Sequence, residues 1–211
     1  MTSLPRATRR PDDHREALRT SPGLADARLR SLLDRRRWEG GGVGERDDRA
    51  EIYELVCSYC RAVDRMDLEG VRAVYARDGV DHHTGFDGSA DEYVAWLARM
   101  LPALDGTMHV VGNHLVELRG DEAVAETYGQ AVHWGTPADE PALNFTTGFR
   151  YVDHLVREGG AWRIRERWAV REWTRSDAGR LTPGAGSGQR AARDGSDPWD
   201  VALRRLRGRV D

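Results

Sequence analysis

The sequence predicts an α+β fold, with three amphipathic helices followed by a run of long antiparallel strands. Three observations carry that expectation. Ile52, Leu55, Val56, Tyr59 and Val63 recur at i, i+3, i+4, i+7 and i+11, which is one apolar stripe of a helix. From Thr107 onward the hydrophobic period drops to two, the alternation of a half-buried strand. The last strand is the plainest case: Trp162, Ile164, Glu166, Trp168 and Val170 are expected on one face, and Arg163, Arg165, Arg167 and Arg171 on the other.

Taken in order, the first helix is expected to start near Asp47-Asp48, acidic residues suited to a helix N-terminus, and to carry Asp64 in its last turn. Met66-Asp67 breaks the pattern, and Asp67 caps a second helix bearing Leu68, Val71, Val74 and Tyr75. A short strand over Val80–Phe86 follows. Ser89 then caps a third helix with Tyr93, Trp96, Leu97 and Met100, its first turn favoured by Asp91 and Glu92. Four strands are expected at about 107–118, 122–134, 144–157 and 161–174. Arg119-Gly120-Asp121, a longer loop around Pro137–Pro141, and Glu158-Gly159-Gly160 join them.

The flanks read differently. Residues 1–46 form an Arg-rich extension, expected to be disordered or partly helical, ending in the hinge-like Gly40-Gly41-Gly42-Val43-Gly44. The domain itself spans 47–175. Residues 176–211 read as a flexible linker, with LTPGAGSGQ inside it, and a short basic segment.

Composition narrows the function. The 211 residues suit one domain with extensions. Net charge is −3, which gives no reason to invoke nucleic acid or an anionic membrane as partner. All 32 basic residues are arginine, so Schiff-base chemistry on lysine is excluded. No apolar run approaches the roughly 20 residues of a membrane span, and the N-terminus lacks the apolar core of a secretory signal, so a cytoplasmic protein is expected. Cys57 and Cys60 share one helix, where they are expected to pack rather than to act as a redox pair.

A phenol, a carboxylate and an imidazole, supplied by Tyr59, Asp64 and His109 from different elements, can perform proton transfer without metal or cofactor. Asp81-His82-His83 looks metal-like, but adjacent strand residues point to opposite faces and cannot easily share an ion. No HxH, HExxH or two-histidine-one-carboxylate spacing occurs, so neither a metal nor any other cofactor is expected.

The pieces YCRAVDRMD, VYARDGVDHH, GSADEYVAWL, MHVVGNHLVEL, GDEAVAETY and GFRYVDHLVREGGAWRIRER resemble, in order, the SnoaL-like branch of the nuclear transport factor 2-like superfamily, including its bile-acid 7-alpha-dehydratase and scytalone dehydratase-like members. The resemblance runs from Asp48 to Trp173. It implies a cone-shaped, curved antiparallel sheet wrapped by the three helices. It implies that His109 is the base and that Asp64 orients it and stabilises the imidazolium. Tyr59 falls where such enzymes polarise a carbonyl, although a Tyr in an apolar stripe also packs. Arg150 matches an arginine that family members place at the cavity, with a salt bridge to Asp64 or Glu166 as the alternative. The segment Tyr128–Trp134 carries no carboxylate where bile-acid dehydratases add an acid, and His133 is the candidate substitute.

Asn113 is expected to share a strand face with His109, with His114 on the opposite one. Trp96, Phe149, Trp162 and Trp168 are expected to wall an apolar pocket. Together these imply a cofactor-independent lyase or isomerase, dehydratase-like, acting on a hydrophobic small molecule such as a steroid or polyketide. The alternatives are a non-catalytic subunit like the small subunit of ring-hydroxylating dioxygenases, or a polyketide cyclase. A homo-oligomer, dimer or trimer, is expected, built on the outer face of the sheet where the four arginines of the last strand were placed.

Overall fold

The computed structural model describes residues 43–177 together with Arg193, Asp194 and Ser196. Most of the expected 1–46 extension and 176–211 tail lies outside the described residues.

Helix α1 spans Val43–Asp64, four residues longer at its start than the acidic pair at 47–48 suggests. Asp48 instead accepts bonds from Arg157 and from the Trp162 indole, whose Nε1 lies 3.1 Å away. Ile52, Val56, Tyr59 and Val63 are all buried, so the expected stripe is the face that meets the sheet. Each such aliphatic side chain contributes on the order of 2 kcal/mol through burial.

Met66, at φ 55°, ends the helix in the left-handed region. The Asp67 amide returns to the Ala62 carbonyl at 2.8 Å and the Met66 amide to that of Val63 at 3.1 Å, the paired closure of a Schellman turn. Asp67 then caps α2, Leu68–Ala73, by accepting from the Gly70 amide. The second helix stops short of Tyr75, which opens β1, Tyr75–His83. The single strand expected over 80–86 is thus two: β1 and a short β2, Phe86–Ser89, that folds back on it. Ser89 and Glu92 form a reciprocal capping box at the head of α3, Ala90–Met100.

Strands β3 (Gly106–Arg119), β4 (Glu122–Trp134), β5 (Phe145–Glu158) and β6 (Ala161–Ser176) follow the expected spans closely. The sheet order is β2-β1-β6-β5-β4-β3. Every pairing is antiparallel except β1 with β6, which is parallel and brings the N-terminal half of the domain against its last strand. The loop between β4 and β5 is held by the buried Asn144, whose amide nitrogen donates to the carbonyls of Gly135, Pro137 and Glu140.

Bulges decide which side chains face the helices. On β6, Leu155 pairs with Ile164 but His154 pairs with Glu166, so Arg165 is an extra residue. One extra residue reverses every side chain beyond it. The expected arginine face therefore does not exist as one surface. Arg167 turns inward and is fully buried, while Trp168 turns outward and stacks on His82. Arg167 grips the equally buried Asp153 through two 2.7 Å bonds and lies under the rings of Tyr59 and Tyr151, 4.2 and 4.0 Å from their centroids. On β3 a further bulge between Val111 and His114 sends Asn113 to the outer side. It brings His114 to the helix side, against Tyr53 and 2.8 Å from the Thr127 hydroxyl, the reverse of the expected facing.

Candidate active site

Asp64 is the last residue of α1, where the helix dipole opposes a negative side chain. Three donors offset that. The Thr107 hydroxyl donates to Oδ1 at 2.9 Å and the His109 amide to Oδ2 at 3.0 Å. His109 Nδ1 lies 2.7 Å from Oδ1. All three come from the start of β3, so the strand presents the ring and fixes its partner in one stroke. With Nδ1–H on the carboxylate, Nε2 on the other edge of the ring carries the free lone pair of a base.

A second histidine faces the same space. His83 ends β1, with Nδ1 bonded to the fully buried Asp81, which also accepts from the Tyr75 hydroxyl. The His83 ring stacks on Tyr93, centroids 4.8 Å apart, and its Nε2 lies 3.4 Å from the Tyr93 hydroxyl. That hydroxyl is 2.6 Å from the hydroxyl of Tyr59. Burial and the charge of Asp81 hold the Tyr59 phenol well above its ordinary range, so it stays protonated and able to donate.

Between these groups lies a cavity of about 400 Å³. Tyr59, His83, Tyr93, Thr107 and His109 line it alongside Val63, Trp96, Leu97, Met100, Phe145 and Phe149. His133 is also in the wall, stacked on Phe145 with centroids 4.2 Å apart. Burial and the nearby His109 push its pKa down to about 4, which keeps it neutral near pH 7. It therefore does not supply the acid missing from β4. Its Nδ1 makes no hydrogen bond of acceptable geometry among the described residues, although the carbonyls of Phe145 and Ala131 lie close enough to favour the charged form.

Of the residues singled out from sequence, the structure brings Tyr59, Asp64, His109, Trp96 and Phe149 together at this cavity, Asp64 through its bonds to Thr107 and His109. Four others lie elsewhere. Arg150 is on the outer face of the sheet, paired with Glu126 and Glu172 at 2.5 Å each rather than with Asp64 or Glu166. Asn113 lines an outer groove, and Trp168 is exposed. Trp162 is buried beneath Arg157, 4.6 Å from its ring, outside the cavity lining.

Residues not singled out take their place. Arg171 lines the cavity because the Arg165 bulge reverses β6. Thr107 and Tyr93 carry no signal beyond position. His83 had one: adjacent histidines on a strand face opposite ways, so one of the pair had to point inward. Its partner His82 does face out, 3.1 Å from both Asp87 and Glu166.

Comparison with known proteins agrees with this architecture. The model of the SnoaL-like domain matches residues 44–168. An uncharacterised protein of Mycobacterium tuberculosis is 30% identical over 130 residues, covering 59% of this chain and 86% of that protein. Among solved structures, a hexachlorocyclohexane dehydrochlorinase superposes with a TM-score of 0.62 at 14% identity, over 70% of this chain and 100% of that one. A scytalone dehydratase candidate from Novosphingobium aromaticivorans gives 0.56 at 20% identity, over 66% and 93%. A protein of Kribbella flavida gives 0.57 at 22%, over 62% and 95%. At these identities the structures speak to the fold, whereas the domain model spans more than half of the chain and the mycobacterial relative is matched along most of its length. The chain belongs to the SnoaL-like family.

Proposed function

We propose that the protein is a cofactor-independent lyase that removes water, or a comparable leaving group, from a hydrophobic small molecule bearing a carbonyl. The observation that carries this reading is the Asp64–His109 pair at 2.7 Å, opening onto a largely apolar cavity. A carboxylate that fixes the Nδ1–H tautomer leaves Nε2 to take a carbon-bound proton. The mostly apolar walls around the pair lower the local dielectric, which strengthens that electrostatic coupling.

His109 takes the proton beside the substrate carbonyl as the C–H electron pair becomes the new C=C bond. The hydroxyls of Tyr59 and Tyr93, backed by His83 and Asp81, donate hydrogen bonds toward the oxygen that gains charge, or toward the departing hydroxyl, which leaves with the C–O electron pair and takes the proton held on His109 to become water. Arg171 adds a cation at the same cavity. No electrons pass to or from the protein. One structural neighbour, the hexachlorocyclohexane dehydrochlorinase, is named for an elimination of the same class, which supports the reading. The non-catalytic alternative is favoured by a filled cone, and here the cone holds a cavity with two histidine–aspartate pairs.

The test is turnover of a panel of β-hydroxy carbonyl compounds, followed by the absorbance of the conjugated product and by deuterium uptake at the acidic carbon in D₂O. Elimination or exchange lost in His109→Ala supports the proposal. A panel member that binds in the cavity with neither elimination nor exchange counts against it.

A further inference from the structure

Among the described residues beyond the end of the sheet at Ser176, and beyond residue 168 where the family match ends, Arg193 reaches the site. Arg193 is half-buried. Its Nε donates to the Asp64 carbonyl at 3.1 Å, one Nη to the Leu104 carbonyl at 3.1 Å and the other to the Thr107 hydroxyl oxygen at 3.3 Å. Those three acceptors belong to the last residue of α1, the turn after α3, and the start of β3.

We propose that Arg193 is a positioning residue for the Asp64–His109 pair, clamping the end of α1 to the start of β3 and orienting the Thr107 hydroxyl. The inference rests on the reading of that pair as the base. Three physical effects converge. The last carbonyls of a helix lack intrahelical donors and carry its negative end, and the Arg193 guanidinium joins that of Arg65, 3.3 Å away, in satisfying and neutralising the Asp64 carbonyl. A hydroxyl oxygen that accepts from Arg193 has its own proton directed elsewhere, and the acceptor in reach is Asp64 Oδ1 at 2.9 Å. That polarised chain, Arg193 to Thr107 to Asp64 to His109, holds the carboxylate in the rotamer that meets the imidazole. The rigid planar fork of arginine suits three acceptors on three elements, as an ammonium does not.

Among the described residues, the charged and titratable groups around the pair are these. Arg193 faces Asp64, Arg65 and Asp105. Burial pushes its guanidinium below the usual range, and Asp64 pulls it back. His109 faces Asp64 on α1 and His133 on β4, with Tyr59 of α1, His83 of β1, Tyr93 of α3, Tyr151 of β5 and Arg171 of β6 sharing the cavity. Removing the Arg193 cation removes both a repulsion felt by a protonated His109 and an attraction that occupies Asp64. Both changes favour the protonated ring.

No substrate is needed for the test. The pH titration of the His109 ring nitrogens is followed by NMR in the full chain, the signal assigned with His109→Gln. In Arg193→Met the midpoint is expected to rise by about 0.5 unit or more against the parent. Arg193→Gln, which can keep one hydrogen bond but not the charge, rises likewise, and Arg193→Lys, which keeps the charge but not the fork, returns only part of the way to the parent. A merely structural Arg193 lowers the melting temperature and leaves the midpoint in place. An unchanged midpoint in whichever neutral variant is folded overturns the proposal. Asp64→Asn is the separate control: it lowers the midpoint if the pair is coupled as read. A midpoint indifferent to Asp64→Asn defeats the dyad itself, not only the role of Arg193.

Discussion

His109 meets Asp64 twice, through its ring at 2.7 Å and through its backbone amide at 3.0 Å, so the strand that supplies the imidazole also aims the carboxylate. Because the amide contact survives side-chain changes at 109, Asp64 is expected to stay in place in His109→Ala. That variant should fold with an unaltered melting curve and lose roughly 10²–10⁴ in kcat, the cost of removing a general base. Asp64→Asn should also lose activity while retaining binding, because the amide no longer selects the Nδ1–H tautomer. A His109→Ala enzyme with parental turnover on an identified substrate defeats the mechanism.

His133 makes stability depend on pH in a definite direction. Its folded pKa of about 4 lies below the ordinary 6.5. Above about 6.5 the ring is neutral in both states and contributes no ionisation difference. As pH falls from 6.5 toward 4, the unfolded ring takes up a proton that the folded ring refuses. Stability should therefore fall across that window, by up to on the order of 3 kcal/mol, and flatten below it. His133→Phe, which preserves the stack on Phe145, should flatten this part of the profile in chemical denaturation. An identical acid limb in the variant would refute the assignment.

The buried Arg167–Asp153 pair should be costly to break and cheap to replace. Asp153→Ala leaves a fully buried guanidinium under two tyrosine rings, and a loss of about 3–5 kcal/mol is expected. Replacing both residues with Met and Leu should cost far less, since neither charge then remains to be satisfied. Urea midpoints of the single and double variants decide this. A double variant as unstable as the single one would show that the charges are needed for more than each other.

Among the described residues, no group of three or more His, Cys, Asp or Glu side chains is placed to hold a metal ion. His109 and His83 each engage a carboxylate through Nδ1, and activity is expected to be unchanged by dialysis against EDTA. Loss on chelation, restored by zinc or iron, would contradict it.

Self-association needs a different basis from the arginine face that the sequence suggested. Arg167 is in the core, paired with Asp153, and Arg171 lines the cavity. The outer face of the sheet instead exposes Met108, Val110, Leu115, Val124, Tyr128 and Trp173. An apolar patch of that kind marks an interaction surface. We propose that two or more copies meet there. Sedimentation equilibrium at micromolar concentration should give a mass above the 23.7 kDa of one chain, falling to one chain in Val110→Glu. A monomer in the parent rejects it.

The sequence by itself determined the order and kind of the elements, because they rest on local causes. The α1 stripe, the Asp67 cap, the Ser89–Glu92 capping box and the strands from Thr107 onward each follow from spacing within a few residues. The meeting of Asp64 with His109 was legible only through resemblance, since nothing local links a helix end to a strand start. What the tertiary structure decided is which way the strand residues point. The extra residue Arg165 on β6 and the bulge before His114 on β3 each reverse the alternation beyond them. They carry Arg167 and Arg171 inward and Trp168 and Asn113 outward. Arg150 ended outside for a related reason: it sits opposite Tyr128 on β4, between two glutamates that the sheet register brings to it. A bulge is settled by how a whole sheet bends around its core, and a period-two pattern carries no mark of where that bend falls.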